Sequence, residues 1–173
     1  MGFPELIACD KALALFPGWS APEAETGYIW FDAPIEIGGV VERGIVLHGG
    51  CYSHVPDQHV VFELRASIPG VKRRVPLHRI EWRSLTGGHT NRRRKGVPSS
   101  GKRVGDTHAH AFELNWLRHE QRMRKGNLPQ AEDIEEELQS FESLRSYAGK
   151  CLRINNIDIV SIPPWEYSLL HHG

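Results

Sequence analysis

The chain has 173 residues, 40% apolar and 24% charged, which suits one globular domain with its own core. No apolar run approaches the roughly 20 residues that span a bilayer, and the opening MGFPELIACDKALALFPGW lacks the basic and long apolar regions of a secretory signal, so a cytoplasmic location is expected and a membrane partner is not. The formal net charge of zero hides a segregation: Lys72 to Arg103 holds eleven Lys/Arg and one acid, Glu81, whereas Pro129 to Glu142 holds six acids and no Lys or Arg.

Residues 1–26 are rich in Pro, Ala and Glu and are expected to wrap the domain, with a short helix near Pro4–Phe16. From Gly27 the texture turns to strand. YIWFDAPIEI, RGIVLHGGCY, HVVFELRAS and VPLHRIEWRSL are apolar, β-branched or aromatic runs punctuated by Gly and Pro. Their spacing of about ten residues suits an antiparallel meander. Paired glycines (Gly38-Gly39, Gly49-Gly50, Gly87-Gly88) read as hairpin turns. Leu77, Ile80 and Trp82 do not alternate cleanly, which points to a bulge near Arg79. Residues 86–107 have no apolar periodicity and read as a long mobile loop. HAHAFELNW then resumes extended structure. Ala131, Ile134, Leu138, Phe141, Leu144 and Ala148 recur at helical steps, predicting an amphipathic helix over 129–148 with an acidic outer face. Ile157–Ile162 is expected to be a last strand, stopped by Pro163-Pro164. The expected fold is a single α+β domain over 1–173: a mainly antiparallel sheet of five or six strands with one long helix on a face. Cys9, Cys51 and Cys151 form no CxxC pair and suggest reduced thiols.

The stretch GDTHAHAFELNW carries the chemistry. In a strand, Asp106, His108, His110, Phe112, Leu114 and Trp116 share one face. Two imidazoles so placed can act as base and acid at neutral pH, because an unperturbed imidazole has a pKa near 6.5. They can also hold one metal ion, with His89, His119 or Glu113 as a third ligand from elsewhere. The plain alternative is a pair of half-buried, hydrogen-bonded histidines without chemistry. Asp106-Thr107-His108-Ala109-His110 resembles the DTHxH opening of TatD-type metallo-DNases and related amidohydrolases. That motif ends the first strand of a barrel of about 250 residues, and only 63 residues follow His110. The resemblance therefore ends with those five residues.

Arg92, Arg93, Arg94, Lys95, Lys102 and Arg103 form a cationic arm suited to phosphates, and Arg73 and Arg74 add a basic sheet edge. The leading expectation is a small RNA-directed protein: a metal-independent ribonuclease of the kind a toxin module or mobile element carries. His108 and His110 would be acid and base, Asp106 or Asn115 would orient an imidazole, and no cofactor would be needed. The runner-up is a non-enzymatic module that binds nucleic acid or an acidic protein surface, with structural histidines. A small metal-dependent hydrolase built on the His pair comes third. The acidic segment meeting the basic loop of a second copy would make a homodimer.

Overall fold

The computed structural model describes residues 1–167, without the side chains of 117–119. In chain order the elements are α1 (Phe3–Ala8), β1 (Ala12–Leu13), β2 (Tyr28–Ile37), β3 (Val40–Tyr52), β4 (Val60–Ala66), β5 (Val75–Trp82), β6 (His89–Thr90), β7 (Arg103–Val104), β8 (His108–His110), α2 (Phe112–Met123), β9 (Glu132–Asp133), α3 (Phe141–Leu152) and a 3-10 turn at Ile157–Ile159. The main sheet has seven strands in the order β1-β2-β3-β4-β5-β8-β9, all antiparallel, and β6-β7 form a separate hairpin. Among the described residues no helix is long and apolar enough to cross a membrane.

The meander follows from period-two patterning. Ile29, Phe31, Ala33 and Ile35 of β2 are buried and pack with Leu47, Phe62, Leu64, Ile80 and Trp82 of the following strands. Leu138, Phe141, Leu144, Ala148 and Leu152 close this core from α3 and the segment before it. A second cluster joins Leu6, Ala66, Ile68, Val75, Leu77, Phe112, Met123 and Leu128. Gly38 and Gly39 both have positive φ and make the β2-β3 turn. Gly49 and Gly50 instead lie inside β3, where a Cβ would collide with the Phe31 ring and the Tyr28 hydroxyl. The β4-β5 register shifts between Leu64 and Arg65, so the irregularity lies two residues before Arg79.

Several expected elements are corrected. The strand over HAHAFELNW stops at His110, and α2 begins at Phe112, so Leu114 and Trp116 do not continue the histidine face. The helix expected over 129–148 begins only at Phe141, capped by Ser140, whose Oγ accepts from the Ser143 amide at 3.2 Å. The physical reason lies in the backbone of 128–131. Its amides and carbonyls are bonded to the side chains of His110, His89, Asn115 and Asn91, and β9 then pairs with β8. Those groups cannot also serve a helical ladder. The apolar positions Ala131 and Leu138 are buried all the same, from extended chain. The last strand is absent; a 3-10 turn takes its place. The N-terminal helix is Phe3–Ala8 rather than Pro4–Phe16.

Residues 86–107 are not structureless. The β6-β7 pairing closes them into a hairpin. Buried Asn91 donates through Nδ2 to the carbonyls of Ser99 and Ala131, and Val97 is buried.

Candidate functional site

On the face of the sheet away from α3, the register lines up a polar row. Asp32 stands opposite His48, His48 opposite Glu63, Glu63 opposite Arg79, and Arg79 opposite His110. Directly opposed residues share a face, so five neighbouring strands build one charged ladder. One step along, Glu81 stands opposite His108. The two rows together bring Glu81, His108 and His110 into one group, with one ligand-type atom from each lying within 4.8 Å of the others.

Each imidazole is held by its Nδ1. His108 Nδ1 donates to the Gly105 carbonyl at 2.8 Å, and His110 Nδ1 to the Leu128 carbonyl at 2.7 Å. A carbonyl only accepts, so both Nδ1 atoms carry a proton, and in the neutral ring it is Nε2 that presents a lone pair to the site. Those atoms lie 3.6 Å and 3.9 Å from the Glu81 carboxylate, too far for a hydrogen bond. His108 is 1% exposed, and its Nε2 has no hydrogen-bond partner among the described residues. An unpaired buried polar atom costs about 1–3 kcal/mol. Burial, together with the nearby Arg79, His89 and His108, pushes His110 down to about 3, although its bond to Leu128 opposes this. His110 is thus neutral at physiological pH.

His89 forms a wall. Its ring lies edge-on to His110 with centroids 4.7 Å apart, and its Nε2 donates to the Pro129 carbonyl at 3.2 Å. Arg79 completes the setting. It pairs with buried Glu63 and lies 3.7 Å from Glu81. Burial alone would raise the Glu63 carboxyl, but the Arg79 and Arg65 guanidiniums outweigh it and hold it below the ordinary range.

The group opens into a hollow of about 240 Å³, walled by Arg79, Glu81, His89, His108, His110 and neighbours. A larger groove of about 680 Å³ adjoins it and shares Arg79 and Gly126 with it. Arg65, Lys72, Arg73, Arg74 and Lys125 line that groove. Arg73 and Arg74 are therefore brought toward the histidines. The hairpin's cations are not: Arg93, Arg94 and Lys95 line a separate shallow depression with Ser100 and Gly101. Arg92, Lys102 and Arg103 are exposed, and none of these six lines the histidine hollow.

Of the residues expected to orient an imidazole, neither touches one. Asp106 is exposed, and its Oδ1 accepts from the Thr107 hydroxyl at 3.3 Å. Asn115 is fully buried on α2. It donates to the Ala111 and Gln130 carbonyls and accepts from the Gln130 amide. It thereby holds the segment whose Leu128 carbonyl fixes His110, so its role is positioning at one remove. Glu113, expected as a possible third ligand, is exposed on α2 and outside the group; the His119 side chain lies outside the described residues. Glu81 is the member that sequence reasoning missed. Its one local signal is that it is the lone acid in the basic stretch 72–103.

Comparisons with family models, with curated proteins and with solved structures give no match for this chain.

Proposed function

We propose that this protein is a nucleic-acid-directed phosphodiesterase, with RNA the favoured substrate. The observation that carries the reading is the joining of two hollows through Arg79: a cationic groove for phosphates leads into a small pocket floored by a carboxylate and two imidazole lone pairs. Arg73 and Arg74 take backbone phosphates. Arg79 faces the scissile phosphate and stabilises the charge that grows on it. Glu81 or an imidazole Nε2 accepts the proton of the 2′-hydroxyl as its oxygen bonds to phosphorus; the P–O5′ bond breaks, and the 5′-oxygen leaves with a proton returned by that same group or by water. RNA is favoured because its 2′-hydroxyl supplies that oxygen within the substrate itself. Relative to the acid and base pair expected from the sequence, the roles shift: His110, with its proton committed to Leu128, works as an acceptor and not as the acid.

A binding module without catalysis is the second reading. It is favoured by the exposed hairpin cations, which lie outside the histidine pocket and would grip a polyanion without it.

Cleavage of a labelled structured RNA separates the two. The native protein should cleave, and Glu81→Gln or His108→Ala should lower the rate by about 100-fold or more. Native protein that binds RNA without cleaving it, with or without added divalent metal, would leave the binding module standing. Cleavage unchanged in both variants would place the chemistry elsewhere.

A further inference from the structure

We infer that Glu81, His108 and His110 form a binding site for one divalent transition-metal ion of the zinc type. The inference concerns the same pocket as the phosphodiesterase reading but stands on its own geometry; an ion there takes the lone pairs which that reading uses as proton acceptors, so metal ligation and proton acceptance are alternative uses of these three groups.

Two explanations compete for the convergence of a carboxylate on two imidazoles. The first is a shared proton. A charge-assisted hydrogen bond would draw the atoms to about 2.7–2.9 Å, whereas Glu81 stands 3.6 Å from His108 Nε2 and 3.9 Å from His110 Nε2. The second is a cation between them. Ligands held about 2.0–2.1 Å from a tetrahedral zinc ion stand about 3.3–3.4 Å from one another. The observed separations, one to each Glu81 oxygen, exceed that by about a quarter to half an ångström, and the three donor atoms all lie within 4.8 Å of one another, so the partly exposed Glu81 side chain and the two rings must each close slightly on the ion. The space is too wide for a proton and nearly right for a metal.

The supporting contacts point the same way. Metal-binding imidazoles ordinarily donate their other ring N–H to a carbonyl or carboxylate, which fixes the tautomer and aims the lone pair. Both histidines do this, through Gly105 and Leu128. The buried His108 Nε2, without a partner among the described residues, gains one when an ion binds. Arg79 is the nearest competing cation; it pairs with Glu63, which Arg65 also engages, and its 3.7 Å contact is with Glu81 Oε1. Glu81 Oε2, the atom turned toward His108, is the one that can ligate. Three protein ligands and a hollow beyond them leave a fourth position open, the pattern of sites that activate water. Two imidazoles and one carboxylate select zinc-like ions over magnesium or calcium, which want oxygen ligands throughout.

The test uses the full chain without an added histidine tag, stripped with chelator and titrated with Zn²⁺ by calorimetry and with Co²⁺ by visible absorption. A His171→Ala/His172→Ala variant controls for the terminal histidines. The expected result is one equivalent of Zn²⁺ in the native and control proteins, with a tetrahedral Co²⁺ spectrum. Glu81→Gln and His108→Ala should weaken binding by more than the 10–100-fold typical of a lost supporting contact, and Asn115→Ala by about 10–100-fold. Because a variant can misfold, the native protein also answers alone: Zn²⁺ should raise its Tm. Absence of both a binding heat and a Tm shift in the native protein overturns the site. So does binding that a folded Glu81→Gln/His108→Ala protein retains. Metal binding without RNA cleavage keeps the site and sinks the phosphodiesterase reading. Cleavage by a protein that binds no metal does the reverse.

Discussion

The two faces of the central sheet solve opposite problems. One buries Phe31, Leu47, Phe62, Ile80 and Trp82 under α3 and gains stability from water excluded. The other carries Asp32, His48, Glu63, Arg79 and His110 across five strands, where burial costs energy unless each charge finds a partner. Most do: Asp32 accepts from His48 at 2.8 Å, and Glu63 is gripped by Arg65 and Arg79. At the β5-β8 end of the ladder the pairing runs out, and there Glu81, His108 and His110 face a hollow. The comparison teaches where to look for chemistry: at the place on the polar face where hydrogen bonding stops being complete.

The largest expected effect lies on the apolar face. Phe141 is fully buried against Trp19, Phe62 and Trp165. Phe141→Ala should cost about 3–5 kcal/mol in urea unfolding and leave any metal affinity of the folded protein unchanged. A loss under about 1 kcal/mol would mean that α3 is not the lid of this core.

The acid limb of stability comes next. His78 is buried beside α2, and burial lowers it from 6.5 to about 4. The unfolded chain then binds a proton between those values that the folded chain refuses, so stability should fall as pH drops below about 6.5, by about 3 kcal/mol at pH 4. Asp32 and Glu63 have depressed folded pKa values, so their contribution is present above the ordinary carboxylate range and is lost as pH falls through it. His110, which burial lowers to about 3, contributes a similar loss over the same window, so His78→Gln should remove about half of the loss between pH 6.5 and 4 and leave the rest. An unchanged profile would show that His78 opens to solvent before the rest unfolds.

The smallest effect on stability, and the sharpest on binding, separates the two cationic regions. Arg73→Glu/Arg74→Glu and Arg93→Glu/Arg94→Glu should each change stability by no more than about 0.5 kcal/mol. If the groove leads the substrate to the pocket, the first pair should reduce the salt slope of RNA binding by about 1.4 and the second pair by less. The reverse order would hand recognition to the hairpin and favour the binding module.

The meander was legible because a strand's period and the spacing of its turns are local properties. Phe31 and Phe62 are buried as their alternation predicts. The helix expected over 129–148 starts only at Phe141, for an instructive reason. Ala131 and Leu138 are buried, as periodicity required, but the carbonyls and amides between Leu128 and Ala131 go to His110, His89, Asn115 and Asn91. Periodicity reports which residues are inside and says nothing about a backbone claimed by distant side chains. Asn115 is expected to orient an imidazole, yet one residue after His110 the chain turns into α2, and its amide reaches Gln130 instead.

By itself the sequence determined the sheet-dominated α+β class, the charge segregation and the projection of His108 and His110 from one strand to one face, because residues two apart in a strand point the same way whatever surrounds them. Only the tertiary structure decided that Glu81 joins them, that Arg79 lies between groove and pocket, and that both Nε2 atoms face inward. These depend on the antiparallel register of β5 against β8 and on carbonyls at Gly105 and Leu128, pairings between segments that the order of residues along the chain does not bring together.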